Sequence, residues 1–596
     1  MRPLTQITMP MNKLKSLCFV FVCGLLTVGY AQEKEEAEEK DLGTQEVTVI
    51  KSYSPSLSDV FKIKESPQIS DSLTGSKRAV DYSIFSVPVI STFVPSKGSA
   101  RKLQPKAPKL QYNSRAFLGF GGYNRLLAEY GTYWEIDRRQ QVSWLLQLNP
   151  TFKDVPGSLL DSRQAHYLLD VSHRYATNKR NSFSQINFRQ HQQSFYGLRS
   201  PFSDPVIDQN IAPEQQLNYL SVNTQWQWYD LVIKEVQLKT YFTSDSFSTS
   251  ELEVQLNSKF QLDVGAITLG FNPEFNYLST SFDQAFYTQQ PYDYSAGLGK
   301  LRLFASKTRG KFKFKFGALG VYAFGDEFEE NNLFVYPDVN LSYQPNKGNF
   351  APFLRVRGQL RQNGFRRFTH LNPYTAPGTA LQTSDLPLEI RLGTRSKFAA
   401  GWEFTWNAVY ESNRQTPLYR SVGFDTQNQD FIPYRYGNAF EVFYNELTSL
   451  GVEAKLSAAF KNGGQLSLSA TYLDFEAPED NFLVTNLPQL TLEFSGTIKL
   501  TPKIYTQWNV VHRGDRTNTY RDVFLGQDLN NAPFLEEQLA AYTQLDAKII
   551  YQLNDRWEFE IRGTNLLDEP LYQWANYQVY GQTLLMGVRY NFDLNF

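Results

Sequence analysis

The chain has 596 residues, 59 of them lysine or arginine and 60 aspartate or glutamate, and its mean hydropathy is −0.42. This near-neutral charge argues against a nucleic-acid partner, and the two cysteines, Cys18 and Cys23, both lie in the first 31 residues, so no thiol remains downstream for disulfides, metal binding or catalysis. The low hydropathy does not exclude a membrane protein, because a β-barrel with a wet lumen carries its apolar residues at alternate positions.

Residues 1–31 predict an export signal. Met11, the expected start, opens a basic stretch that contains Lys13 and Lys15, and an apolar run covers residues 17–28. Ala31 supplies a small residue for cleavage before position 32. The run is too short for a permanent span, so we expect an exported protein.

Residues 32–114 differ in kind from the rest of the chain. A charge run at 33–41 is followed by six prolines between positions 55 and 108, which predicts a mostly irregular segment in the periplasm or lumen. One β-prone patch interrupts it, formed by Glu46, Val47, Thr48, Val49 and Ile50.

From residue 115 to 596 the pattern is that of β-strands. In residues 251–264, for example, Leu252, Val254 and Leu256 alternate with polar residues, which is the period of a strand. Ten short polar turns alternate with eleven longer connections, and together they predict 22 strands. The longer loops, expected outside the cell, are near residues 200–215, 364–388, 412–436, 474–489, 514–538 and 568–582.

The last stretch, residues 581–596, shows the same rhythm most clearly, with Leu585 as the one exception. We expect its apolar face to meet lipid and its aromatic-rich end to be bound by the barrel-assembly machinery. A sheet in lipid must close, because an edge strand would leave backbone amides and carbonyls that no water can satisfy. The predicted fold is therefore all-β, a 22-stranded antiparallel transmembrane β-barrel preceded by a short, mostly irregular segment. The end of the chain that we expect the barrel-assembly machinery to bind consists of Tyr590, Phe592, Leu594 and Phe596.

Three arginines on one predicted strand are candidate contacts for an anionic solute in the lumen. Arg355, Arg357 and Arg361 fall on its polar face, and guanidinium groups bind carboxylate or phosphate with paired hydrogen bonds. The favoured alternative is that they form salt bridges with lumen acids such as Glu251 and Glu253 or with the N-terminal segment.

The remaining candidate residues do not predict a catalytic, metal or cofactor site. The histidines are scattered without the spacing of a metal centre, and we find no catalytic set and no cofactor motif, so no enzyme is predicted. In the last long loop, Trp574 and Tyr577 are expected to pack, with ligand contact as the alternative. The histidines are His166, His173, His191, His370 and His512.

The C-terminal quarter resembles that of TonB-dependent receptors. Residues 449–454 (SLGVEA) resemble a late strand of that family, residues 565–568 (NLLD) its motif before the last outer loop, and residues 581–592 its closing strand. The resemblance implies a Gram-negative outer-membrane barrel that imports scarce, bulky nutrients and is powered by a TonB-type coupling protein. Residues 46–50 are then a candidate coupling box or, alternatively, the remnant of the first strand of that family's plug.

The chain departs from that family at its start, where only about 80 residues precede the first strand and the family's plug motif is missing. Because a wide barrel needs blocking, residues 32–114 form a reduced plug, or a partner closes the lumen, or the protein is a large regulated pore. The predicted function is uptake of a bulky solute. The alternatives are a non-transporting scaffold or subunit of an outer-membrane complex and a passive pore.

Overall fold

The computed structural model describes residues 112–199, 213–329, 332–345, 350–424, 432–461, 463–478, 484–521 and 533–594. The predicted export signal, most of the predicted N-terminal segment with its candidate coupling box at 46–50, and Phe596 lie outside the described residues. The secondary structure is almost entirely β. None of the described helices is long and apolar enough to cross a bilayer.

The strands, a single-turn 3-10 helix (Gly122–Asn124) and the helix α1 (Phe365–Leu371) follow one another along the chain. The strands are β1 (Ser114–Gly121), β2 (Arg125–Asp137), β3 (Gln140–Pro150), β4 (Ala165–Ala176), β5 (Arg180–Ser194), β6 (Glu214–Trp228), β7 (Ile233–Asp245), β8 (Ser250–Val264), β9 (Ile267–Phe282), β10 (Tyr292–Arg309), β11 (Phe312–Gly325), β12 (Leu333–Tyr343), β13 (Phe350–Arg361), β14 (Ser384–Ala399), β15 (Trp402–Ser421), β16 (Phe440–Ala459), β17 (Gln465–Glu476), β18 (Leu490–Lys499), β19 (Ile504–Arg513), β20 (Arg516–Arg521), β21 (Phe534–Leu539), β22 (Tyr542–Gln552), β23 (Trp557–Thr564), β24 (Tyr572–Trp574), β25 (Tyr577–Gln578) and β26 (Thr583–Phe592).

The sheet closes on itself. Of its 24 strands, β20 and β21 form a hairpin outside the ring, and the other 22 pair with their neighbours in antiparallel fashion, β19 with β22 and β23 with β26. Closure is made by β26 and β1, in register from Ser114 opposite Phe592 to Gly121 opposite Leu585. The predicted 22-stranded antiparallel barrel is thus confirmed.

The two ends of the barrel differ, as the spacing of turns predicts. The ten connections at one end, which we call the turn end, have two to six residues each. At the other end, the loop end, nine of the eleven connections have seven residues or more, and the exceptions join β1 to β2 with three residues and β7 to β8 with four. The predicted loop 412–436 is wrong at both bounds, because β15 runs on to Ser421 and β16 begins only at Phe440. Both strands have 20 residues, about twice the length that a strand needs to cross a bilayer.

Apolar side chains cover the outside of the wall. Leu118 and Met586 are both 61% exposed, whereas Leu585, the exception to the alternation, is 3% exposed and packs inside against Phe117 and Leu127. The closing strand is shorter than predicted, since β26 ends at Phe592. Leu594 lies beyond that end, where its backbone N–H and C=O both bond to the Asn113 side chain, each at 2.8 Å.

Candidate functional site

The connection between β13 and β14, residues 362–383, folds into the loop end of the barrel, and we call it the mouth loop. Its helix α1 buries Phe365 and Phe368 completely. Phe365 packs edge-on against Phe282 at the end of β9, with 5.5 Å between ring centroids, and Phe368 packs in the same way against Tyr419 near the end of β15, at 6.1 Å. Because β9 and β15 are six strands apart in the ring, α1 joins two separate parts of the wall.

The start of α1 is held by a buried carboxylate from the wall. Glu251, at the beginning of β8 and 4% exposed, accepts hydrogen bonds from the backbone N–H groups of Phe365 (2.5 Å) and Arg366 (2.9 Å) and from the Thr280 hydroxyl (2.8 Å). These two amides belong to the first turn, which has no partners within the helix itself. Arg366 also pairs with Glu253 on the same strand. The mouth loop is therefore fixed to β8 by charge-assisted bonds.

Loops from opposite sides of the barrel meet at the centre of the loop end. Asn438, just before β16, donates through its side-chain amide to the carbonyl of Phe195, just after β5, at 2.6 Å. These two strands are eleven apart in a ring of 22 and so face each other across a barrel on the order of 40 Å wide, estimated from about 4.8 Å between strands tilted by about 40°. The described loops therefore bridge the mouth across its diameter.

An aromatic cluster forms the centre of this bridge. The rings of Tyr374 in the mouth loop and Tyr577 in the last loop are stacked, and the Tyr577 hydroxyl donates to the carbonyl of Asn438. Tyr196 packs edge-on against both rings and donates to the Gln578 carbonyl at 2.8 Å. Tyr577 is 1% exposed, so in this structure it packs, as the sequence analysis expects.

The three arginines that are predicted to contact an anion lie in different surroundings. Arg357 pairs with Glu389 on the adjacent β14, its Nε lying 2.6 Å from a carboxylate oxygen. Arg355 has no acidic partner within 4 Å among the residues that the structure describes. A register shift between Arg357 and Gln359 separates the first two arginines from Arg361, which lines a cavity against the mouth loop instead. The structure therefore gives Arg357 the salt bridge of the alternative interpretation, although with a different acid.

The cavity beside Arg361, which we call the α1 cavity, lies between α1 and the wall. It has a volume of about 380 Å³. Burial lowers the pKa of Arg367 to about 10, and the positive charge of the neighbouring Arg361 adds to this effect. The side chains that define the chemistry of the α1 cavity are Glu253, Gln255, Arg361, Arg366, Arg367 and His370.

Three of the histidines come together near the same place, which their spacing in the sequence does not predict. The rings of His166 and His191, on the paired strands β4 and β5, are 4.7 Å apart, and Tyr219 links His191 (5.5 Å) to His370 of α1 (4.4 Å). Within the described ranges, no three potential ligands are grouped so as to hold a metal ion.

The sequence pattern predicts only a loop over residues 364–388 and does not indicate the helix of the mouth loop. A weak signal exists, since Phe365 and Phe368 have helical i, i+3 spacing and follow Gly364. Nothing local identifies Glu251 as the partner of α1, because 114 residues separate it from Phe365.

No family model matches the chain, and no curated protein matches it in sequence. Solved structures do match. A mutant ferric enterobactin receptor of Pseudomonas aeruginosa superposes with a TM-score of 0.56 at 12% identity over 80% of both chains. The FrpB iron transporter of Neisseria meningitidis superposes with a TM-score of 0.58 at 11% identity, over 81% of this chain and 82% of that one. The siderophore receptor PirA of Acinetobacter baumannii superposes with a TM-score of 0.55 at 12% identity over 81% of both chains. The chain therefore has the closed 22-stranded barrel fold of TonB-dependent siderophore receptors.

Proposed function

We propose that this protein is a receptor-like transporter of the Gram-negative outer membrane that takes up a bulky solute. The apolar outer wall, with Leu118 and Met586 as examples, fits a bilayer, and a closed ring leaves no wall strand unpaired in lipid. Export would follow from residues 1–31, and the loop end would face outwards. The fold shared with iron and siderophore receptors supports uptake over the scaffold and passive-pore alternatives.

The observation that carries this proposal is the bridged mouth. A barrel of this width needs a barrier, and α1 together with the stacked Tyr374 and Tyr577 supplies one at the loop end. A bulky solute would have to displace the mouth loop, so the loop acts as a gate. The candidate coupling box, residues 46–50, would connect the protein to a TonB-type partner that supplies the energy.

Planar-bilayer recordings of the purified full chain test the gate. The double variant Phe365→Ala/Phe368→Ala removes the two buried anchors of α1, and it should show larger or more frequent current steps than the wild type. The matched control, Phe312→Ala/Phe350→Ala, removes two phenylalanines that are 51% and 58% exposed at the turn end, and its current should not change. Identical currents in all three proteins would contradict the gate.

Uptake needs a separate experiment. Deletion of residues 46–50 should abolish energy-dependent uptake of the solute while leaving the barrel folded, as judged by its heat-dependent mobility in gels. Uptake that continues at the wild-type rate in this deletion would remove energy coupling from the proposal.

A further inference from the structure

The α1 cavity holds more positive charge than the described acids neutralise. Arg366 is paired, since its guanidinium group bonds to Glu253 and lies over the Tyr241 ring at 4.0 Å. Arg361 and Arg367 have no carboxylate within 4 Å in the described parts of the chain. The Arg367 side chain bonds to the amide oxygen of Asn363, which carries no net charge.

A further cation, Lys300, lies near the cavity without lining it. Lys300, on β10, is partly buried beside the last residues of β13, and its ammonium group donates to the carbonyl of Leu360 at 2.8 Å. Its direct cross-strand neighbour on β9 is Glu274, which offsets part of its charge. Placing cations of like charge together, partly removed from water, is costly unless an anion joins them.

The mouth loop, rather than the barrel wall alone, creates this arrangement. Arg361 is the last residue of β13, and Arg367 belongs to α1, which returns over the wall with its start bonded to Glu251. The docked helix thereby places its own guanidinium group in the same cavity as that of the strand. If α1 undocked, the two cations would separate.

We propose that the α1 cavity binds an oxyanion, a phosphate or carboxylate group, through Arg361 and Arg367. A guanidinium group presents paired N–H donors that match the two oxygens of such a group. The Gln255 side-chain amide lines the same cavity, and beside the N–H that it donates to Glu253 it has a second, neutral N–H. A volume of about 380 Å³ accommodates an anionic group or a small acid, so a bulky solute would insert only part of itself here.

This inference deepens the proposed function and rests on it only for the route by which the anion arrives. The bound anion would join the mouth loop to the wall and favour the docked state of α1. An anionic group on an incoming solute would then be recognised at the gate itself. Arg357, already neutralised by Glu389, and Arg355, which does not line the cavity, take no part.

Isothermal titration calorimetry on the purified full chain in detergent tests the site, with inorganic phosphate and citrate as probes at constant ionic strength. The variant Arg361→Gln/Arg367→Gln should weaken binding of the better probe at least about tenfold, because it removes charge-assisted hydrogen bonds. The control Arg355→Gln removes an arginine from the same strand and should change the affinity less than about twofold.

A second variant, Arg361→Lys/Arg367→Lys, keeps both charges and removes the paired geometry. Its affinity for the probe should fall between those of the wild type and the glutamine variant. If the glutamine variant does not fold, the comparison of the lysine variant with the wild type tests the proposal instead. The proposal is overturned if the wild type binds neither probe, if both double variants bind as the wild type does, or if Arg355→Gln loses as much affinity as they do. Uptake plays no part in this measurement, so a failure here is distinct from a failure of the proposed function.

Discussion

Replacing Glu251 should release the mouth loop. The carboxylate accepts two backbone hydrogen bonds from α1, at 2.5 and 2.9 Å, and one from Thr280 at 2.8 Å. Hydrogen bonds to a charged group contribute about 1.5–3 kcal/mol each, and part of this offsets the cost of burying the charge. Glu251→Ala removes the two bonds to α1 and leaves two buried amides without a partner, so we expect docking to weaken by about 3 kcal/mol, an increase of about 100-fold in the undocked population.

Hydrogen–deuterium exchange read on peptides covering residues 364–371 measures this directly. Exchange there should accelerate by about the same factor in Glu251→Ala and by less in Glu251→Gln, which keeps one acceptor oxygen. Glu493→Ala is the control, because that carboxylate pairs with Arg513 at 3.0 Å in a half-exposed position and such pairs contribute little. If exchange at 364–371 in Glu251→Ala equals that of the wild type, the carboxylate does not hold the helix.

Three further predictions concern the mouth and the wall. Tyr577→Ala should lower the stability by about 3–5 kcal/mol, seen as a lower Tm, because it leaves a cavity beside the stacked Tyr374. Met586→Arg should cost about 2–4 kcal/mol in lipid vesicles, measured by urea titration, if that side chain faces the middle of the bilayer. The His370 side chain keeps an exposed face, and the partial burial of its ring against α1 and the wall, together with the charge of Arg366, holds its pKa below the usual value. The docked state thus favours the neutral ring, so docking is strongest above about pH 6.5 and weakens as the pH falls through the lowered pKa. His370→Gln should flatten that acid dependence of exchange at 364–371.

The wall of this barrel could be predicted from the sequence because its signals are local. Alternation along each strand tells which side chains face outwards, and each short turn fixes two neighbouring strands, so counting turns gives 22 strands. Even the irregular Leu585 could be recognised as an exception, although not its reason. Its burial against Phe117 and Leu127 depends on the pairing of the last strand with the first.

The mouth could not be predicted, because its contacts are not local. Phe365 meets Glu251 across 114 residues, and Asn438 meets Phe195 across 243. A helix of seven residues has little stability of its own, so its propensity is a weak signal and tertiary packing decides whether it forms. For the same reason the sequence shows that Arg355, Arg357 and Arg361 share a strand, but not that only Arg361 meets the mouth loop.

If energy coupling through residues 46–50 serves to open the mouth, weakening the mouth should make coupling unnecessary. A coupling partner can open the mouth loop only to the extent that it binds the undocked state more tightly than the docked state. Because the contacts of Glu251 stabilise the docked state, they set how large this difference in affinity must be. Cells carrying Glu251→Ala should therefore admit a bulky fluorescent dye faster than wild-type cells, and removing residues 46–50 from that variant should not restore the barrier. The deletion alone should leave the cells closed. Should the combined variant return to the wild-type rate, Glu251 would act through the coupling segment, and the mouth loop would not be the barrier that coupling has to overcome.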